Sequence, residues 1–147
     1  MRVSLIPSTD PGEYTFVHRI RTRFAETDAM GVIHHGAYAP YLEEARVELL
    51  RAAGFPYDKV RSGGIEFAVL ELYVRYRQPL HFDDVVDISV AVGKVTRTTF
   101  QIAYLLQVAG GTRATAVTVH GAVDSTGRPV RLPAWLSELV PSADSAA

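Results

Sequence analysis

The reactive side chains of this chain concentrate in one segment, Thr27-Asp28-Ala29-Met30-Gly31-Val32-Ile33-His34-His35-Gly36-Ala37-Tyr38. Asp28 comes just after a predicted strand, and His34 and His35 stand at the entrance of a predicted helix. The first amides of a helix have no intrahelical partner, and they sit at the positive end of its dipole. A carbonyl oxygen docked on the amides from about His35 to Tyr38 would be polarised, and a carboxylate opposite could activate water or attack directly. That is acyl-transfer chemistry without a metal or a thiol. Taken singly, the same residues admit plainer roles. Asp suits a Gly-bearing turn, paired histidines are commonly surface or hydrogen-bonded structural groups, and Tyr38 falls on an apolar helical stripe. Neighbouring histidines rarely aim at one ion, and no further metal-ligand spacing accompanies them.

The elements that must position this segment read clearly. Residues 16–24 alternate, with Phe16, His18, Ile20, Thr22 and Phe24 on one side and Val17, Arg19, Arg21 and Arg23 on the other, which is a strand with a solvated arginine face. A polar turn over 26–31 follows. Tyr38, Tyr41, Leu42, Ala45, Leu49 and Ala52 then recur at helical spacing, with Glu43, Glu44, Glu48 and Arg51 mostly off the stripe. Pro40 is tolerated only in a first turn, which pins the helix start to 35–39, and Gly54 with Pro56 predicts its stop. Residues 65–77, 85–96, 98–109 and 112–123 read as four strands joined by short turns, and 133–139 as a short closing helix. Strands in series predict an antiparallel meander. One helix covers only part of such a sheet, so self-association is expected to bury the rest.

Composition narrows the class. The 147 residues suit one domain, with loose arms expected at 1–14 and 137–147. Lys+Arg is 15 against 16 Asp+Glu, a balance unlike the basic excess of a nucleic-acid binder. There is no cysteine, which removes disulfides, thiolate catalysis and Cys-based zinc sites and fits a reducing cytoplasm. The apolar run in residues 1–7 is too short for a signal peptide, and no stretch approaches the ~20 apolar residues of a membrane span.

The run from Arg23 to Tyr38, followed by Tyr41-Leu42-Glu43-Glu44-Ala45-Arg46, resembles the signature of the hotdog-fold acyl-CoA thioesterases. The branch is the 4-hydroxybenzoyl-CoA thioesterase type, including the thioesterases associated with the Tol–Pal system. The likeness extends more weakly through Val74–Pro79, Phe82-Asp83-Asp84, Gly127-Arg128-Pro129 and Leu132-Pro133, and covers roughly Phe16 to Trp135.

The resemblance implies an α+β hotdog fold, a five-stranded antiparallel sheet wrapped around one long central helix. It also implies a homodimer or a dimer of dimers with the active site at the dimer interface. It makes Asp28 the nucleophile or general base, and gives His35 the amide that polarises the thioester carbonyl. It lets Gly36 admit the substrate closely and assigns Gly31, His34 and Tyr38 to the substrate's surroundings. Arg97, Thr98 and Thr99 correspond to a stretch that contacts the phosphates of CoA. Beyond CoA as part of the substrate, no cofactor is implied. The chain departs from the pattern at His34, where a Tyr is usual, at Ala37, where an Asn is usual, and in a less basic CoA stretch. Two other readings remain open: a hotdog domain that binds acyl-CoA or a protein without turnover, and a hotdog dehydratase, whose helix motif is not found here.

Overall fold

In a computed structural model of the chain, residues 2–141 are described. Strand β1 spans Phe16–Arg21, helix α1 Tyr38–Ala52, a short helix α2 Tyr57–Ser62, and strands β2 to β5 span Glu66–Tyr76, Val85–Gly93, Thr99–Val108 and Gly111–Val123. Together the strands form one antiparallel sheet in the order β1-β3-β4-β5-β2. This is the expected five-stranded sheet with one main helix. The expected meander holds only from β3 to β5. Strand β2 crosses to the far edge and pairs with β5 (Leu72 opposite Thr118), so β1 and β2 flank the sheet on opposite sides.

Helix α1 lies on one face of the sheet. It buries Tyr38, Tyr41, Leu42, Ala45 and Leu49 in one cluster with Val86, Ile88, Val90, Ile102, Tyr104 and Leu106. Each fully buried large side chain contributes about 1.5–3 kcal/mol of transfer free energy. Ala52, placed on this stripe by spacing alone, is exposed because the helix has by then passed the sheet. Pro40 does stand in the first turn of α1. Leu136 closes the core from a 3₁₀ helix over Ala134–Leu139, where an ordinary helix is expected. The short helix α2 has no counterpart in the sequence reading, because six residues are too few to show a period.

Two segments depart from expectation at the edges. The strand predicted over 16–24 ends at Arg21, since Thr22 turns inward and donates to the His81 carbonyl (2.6 Å). Phe24 consequently faces out, 74% exposed. Composition predicts a loose arm over 1–14, yet residues 2–5 are tied across the outer face of the sheet. Glu71 accepts from the Arg2 and Val3 amides (2.8 and 3.2 Å), and Gln101 accepts from Ser4 and Leu5 (3.0 and 2.9 Å). Of the expected tail over 137–147, residues 142–147 lie outside the described residues.

Candidate active site

The turn that carries Asp28 is folded by its own side chain. Asp28 Oδ1 accepts from the Met30 amide (2.9 Å) and, at longer range, from Val32 (3.4 Å), while Asp28 and Val32 also pair through the backbone (2.9 Å). Gly31 closes the turn at φ +79°, a conformation that favours glycine. Asp28 Oδ2 has no hydrogen-bond partner among the described residues and is left for a ligand or water.

Four hydrogen bonds brace this turn and the helix entrance. The His34 amide donates to the Glu26 carbonyl (2.7 Å) and the Ile33 amide to Leu80 (2.8 Å). The Glu26 carboxylate accepts from the Tyr41 hydroxyl (2.6 Å) and the Arg23 amide (2.8 Å), tying the turn to the first turns of α1. Burial of Glu26 opposes its charge, but the Tyr41 and Arg23 bonds outweigh it and hold the carboxyl below its usual range. Burial and the Glu26 carboxylate push the Tyr41 hydroxyl the other way, up.

A 3₁₀ turn over His35–Ala37 leads directly into α1. His34 Nδ1 accepts from the Gly36 amide (2.9 Å), and its ring stacks on that of His35 with centroids 4.1 Å apart. The Tyr38 amide donates to the His35 carbonyl, and that of Ala37 to His34. The His35 amide is the one left without a partner among the described residues. Here the structure supplies a different reason for Gly36. A Cβ at this position would meet His34 Nδ1 at 2.9 Å, so the residue must be small for the cap to form.

Asp28 and His35 line one cleft of about 310 Å³ together with Val32, Ile33, Tyr38 and the wall Tyr76-Arg77-Gln78-Pro79. Tyr38 is both core and lining, 3% exposed and edge-on to Tyr76 at 4.9 Å. Arg113 fixes the wall. Its carbonyl accepts from the Arg77 and Gln78 amides (2.8 and 2.9 Å), and its guanidinium donates to the Pro79 carbonyl. Of the expected site residues, the fold therefore brings Asp28, His35 and Tyr38 together, while Gly31, His34 and Gly36 shape the turn beside them. Arg97, Thr98 and Thr99 lie apart, the first two at the end of the turn between β3 and β4 and Thr99 at the first residue of β4. The wall from Tyr76 to Pro79 and the brace of Glu26 on Tyr41 are not assigned a role by sequence. Only the strand-ending Gln78-Pro79 hints at the wall.

A second cavity of about 430 Å³ lies between α1 and the sheet, lined by Arg46, Val47, Phe67, Val69, Phe100 and His120 among others. From His120 a short row of hydrogen-bonded side chains runs into the core. Tyr104 meets Thr118 (2.6 Å), which meets His120 Nε2 (2.7 Å). Arg46 lines the same cavity as His120, and its positive charge acts on both Tyr104 and His120. Burial, with the Arg46 charge adding to it, pushes the His120 pKa down to about 3, so the ring is neutral.

Comparison with known proteins agrees with this architecture. Residues 22–140 match the thioesterase-like superfamily. A hypothetical protein from Aquifex aeolicus of known crystal structure is 38% identical, with a TM-score of 0.81, over 86% of this chain and 100% of that one. The DHNA-CoA thioesterase from Staphylococcus aureus is 31% identical with a TM-score of 0.77, over 83% of each chain. The 1,4-dihydroxy-2-naphthoyl-CoA hydrolase of Thermosynechococcus vestitus is 30% identical over 77% of this chain and 82% of its own. With the five-stranded sheet on one main helix and the match over residues 22–140 in one chain, this protein belongs to the thioesterase-like superfamily.

Proposed function

We propose that this enzyme hydrolyses acyl-CoA thioesters to a free acid and CoA with Asp28 and the His35 amide. The unpartnered His35 amide in the same cleft as a carboxylate with one free oxygen carries this reading. The thioester oxygen docks on the His35 N–H at the positive end of α1, which stabilises the charge that develops there. Asp28 Oδ2 takes the proton of an attacking water, or attacks the carbonyl carbon itself to form a mixed anhydride that water then hydrolyses to the free acid. CoA leaves as a thiolate, which needs little acid assistance. Neither route requires a metal or an organic cofactor.

The working unit in this reading is a homodimer or a dimer of dimers. Strand β2 is an unpaired edge that exposes Val69, Leu70, Leu72, Tyr73 and Tyr76, each 42–52% exposed. A long apolar edge of this kind invites pairing with a second copy. An antiparallel match about the middle of that run would set Tyr76 of one protomer beside Val69 of the other. The cleft of one chain would then adjoin the second cavity and the β3–β4 turn of its neighbour, giving the acyl group a pocket and the nucleotide the Arg97-Thr98-Thr99 stretch. A cytoplasmic setting accords with the cysteine-free composition, and no helix among the described residues is long and apolar enough to cross a membrane.

A panel of aromatic, short-chain and long-chain acyl-CoAs, followed by thiol release with a thiol-reactive dye, tests the activity. Release from at least one class is expected. Tight binding of all with no thiol would favour the non-hydrolytic binder, and an enoyl product without thiol the dehydratase.

A further inference from the structure

The β3–β4 turn, read from sequence as weakly basic, gains charge from parts of the chain remote in sequence. A cleft of about 610 Å³ beside it is lined by Arg2, Ser4, Lys94, Val95, Thr96, Thr98, Thr99, Gln101 and Val119, and no carboxylate lines it. The Leu132 amide donates to the Arg97 carbonyl (3.0 Å), which brings Arg131 to the same turn. Arg2, Lys94, Arg97 and Arg131 are all exposed, and none forms a salt bridge among the described residues. Lys94 keeps a left-handed backbone at φ +50°, unusual for a residue other than glycine.

Arg2 is delivered to this cleft by a specific strap. Gln101, 6% exposed on the outer face of β4, accepts from the Ser4 and Leu5 amides and donates to the Arg2 carbonyl and the Ser4 hydroxyl (both 2.9 Å). All the hydrogen bonds of this buried amide go to the arm. Glu71 engages the Arg2 and Val3 amides, which leaves the Arg2 guanidinium free of it. On the far side, Thr96 Oγ1 accepts from the Thr99 amide (3.0 Å) and pairs with Thr99 Oγ1 (2.7 Å), which fixes the turn.

We infer that the N-terminal strap is part of the substrate site. It carries Arg2 opposite Lys94 to grip the phosphorylated nucleotide end of CoA, while Val95 and Val119 offer an apolar seat for the base. This rests on the acyl-CoA reading above. The cations supply the phosphate contacts that Arg97 alone provides thinly, in a protein whose net charge is −1.

The test compares an accepted acyl-CoA with the same acyl group on N-acetylcysteamine, which lacks the nucleotide. It is run with wild type, Arg2→Gln, the double variant Arg2→Gln/Lys94→Gln, and Gln101→Leu, which unhooks the strap. The binding of adenosine 3′,5′-bisphosphate is measured by calorimetry alongside. Expected is a rise in KM for acyl-CoA of about three- to tenfold for Arg2→Gln, larger in the double variant. kcat and the N-acetylcysteamine reaction should not change, and bisphosphate binding should weaken in step. An unchanged KM in the double variant, or equal losses on both thioesters, overturns the proposal. Since bisphosphate binding is read without turnover, an inactive enzyme that still binds it through Arg2 refutes the hydrolase reading alone. Normal hydrolysis without bisphosphate binding refutes the strap alone.

Discussion

The histidines of two regions show opposite uses of one side chain. His120 is 1% exposed, hydrogen-bonded to Thr118 and held neutral by burial. His34 and His35 stand exposed on a 3₁₀ turn, and what that turn offers a ligand is a backbone amide. No buried side-chain polar atom lacks a partner among the described residues, while the helix entrance is left one partner short. Satisfied groups hold a fold together, and a pre-positioned unsatisfied one is what a substrate can use.

The sharpest break in this comparison is Asp28→Asn. It keeps the Met30 cap through its amide oxygen but removes the base, so kcat should fall by about 10³-fold or more with the melting temperature within about 2 °C of wild type. Near wild-type turnover of a confirmed substrate would reject Asp28 as the reacting group. Thr118→Val does the reverse. It strands the Tyr104 hydroxyl and His120 Nε2 without partners, and should cost about 2–4 kcal/mol in urea unfolding, while kcat of the folded fraction stays close to wild type.

Acid should act on the interior first. Folded His120 stays neutral down to about pH 3, whereas the unfolded chain takes up that proton below about pH 6.5. The unfolded state therefore binds more protons in this window, and stability falls as pH drops from 6.5 toward 3, by about 2 kcal/mol at pH 5. His120→Gln should flatten that part of the stability profile, and a variant profile identical to wild type would show that His120 is not the titrating group. The smallest effect is expected for His35→Ala. Its amide survives the change, so kcat should drop by less than about tenfold; a loss equal to that of Asp28→Asn would transfer the role from the amide to the imidazole.

Much of this was legible beforehand because it depends on local periodicity and turn chemistry. The α1 stripe, the five strands and the Asp28 turn all follow from spacing and from Gly, Pro and Asp at turns. The solvated face of Arg19, Arg21 and Arg23 holds as well, since all three side chains are at least 62% exposed in ion pairs. What failed depends on distant contacts. Local pattern does not say which strand β2 chooses, because both faces of a strand are defined by alternation and its neighbour is not. Nor does it reveal that Arg2 is held by Gln101, across 99 positions.

By itself, then, the sequence determined the repertoire: a carboxylate turn leading into a helix, strands enough for one sheet, no thiol, and a nearly balanced charge. Tertiary structure alone decided how these groups meet. It set the His35 amide free by closing its neighbours onto His34 and His35, walled the cleft with Tyr76 to Pro79, and drew Arg2 to the β3–β4 turn. The physical reason is that hydrogen-bond satisfaction is settled over the whole fold. Which donor is left over becomes known only when all the others have found partners.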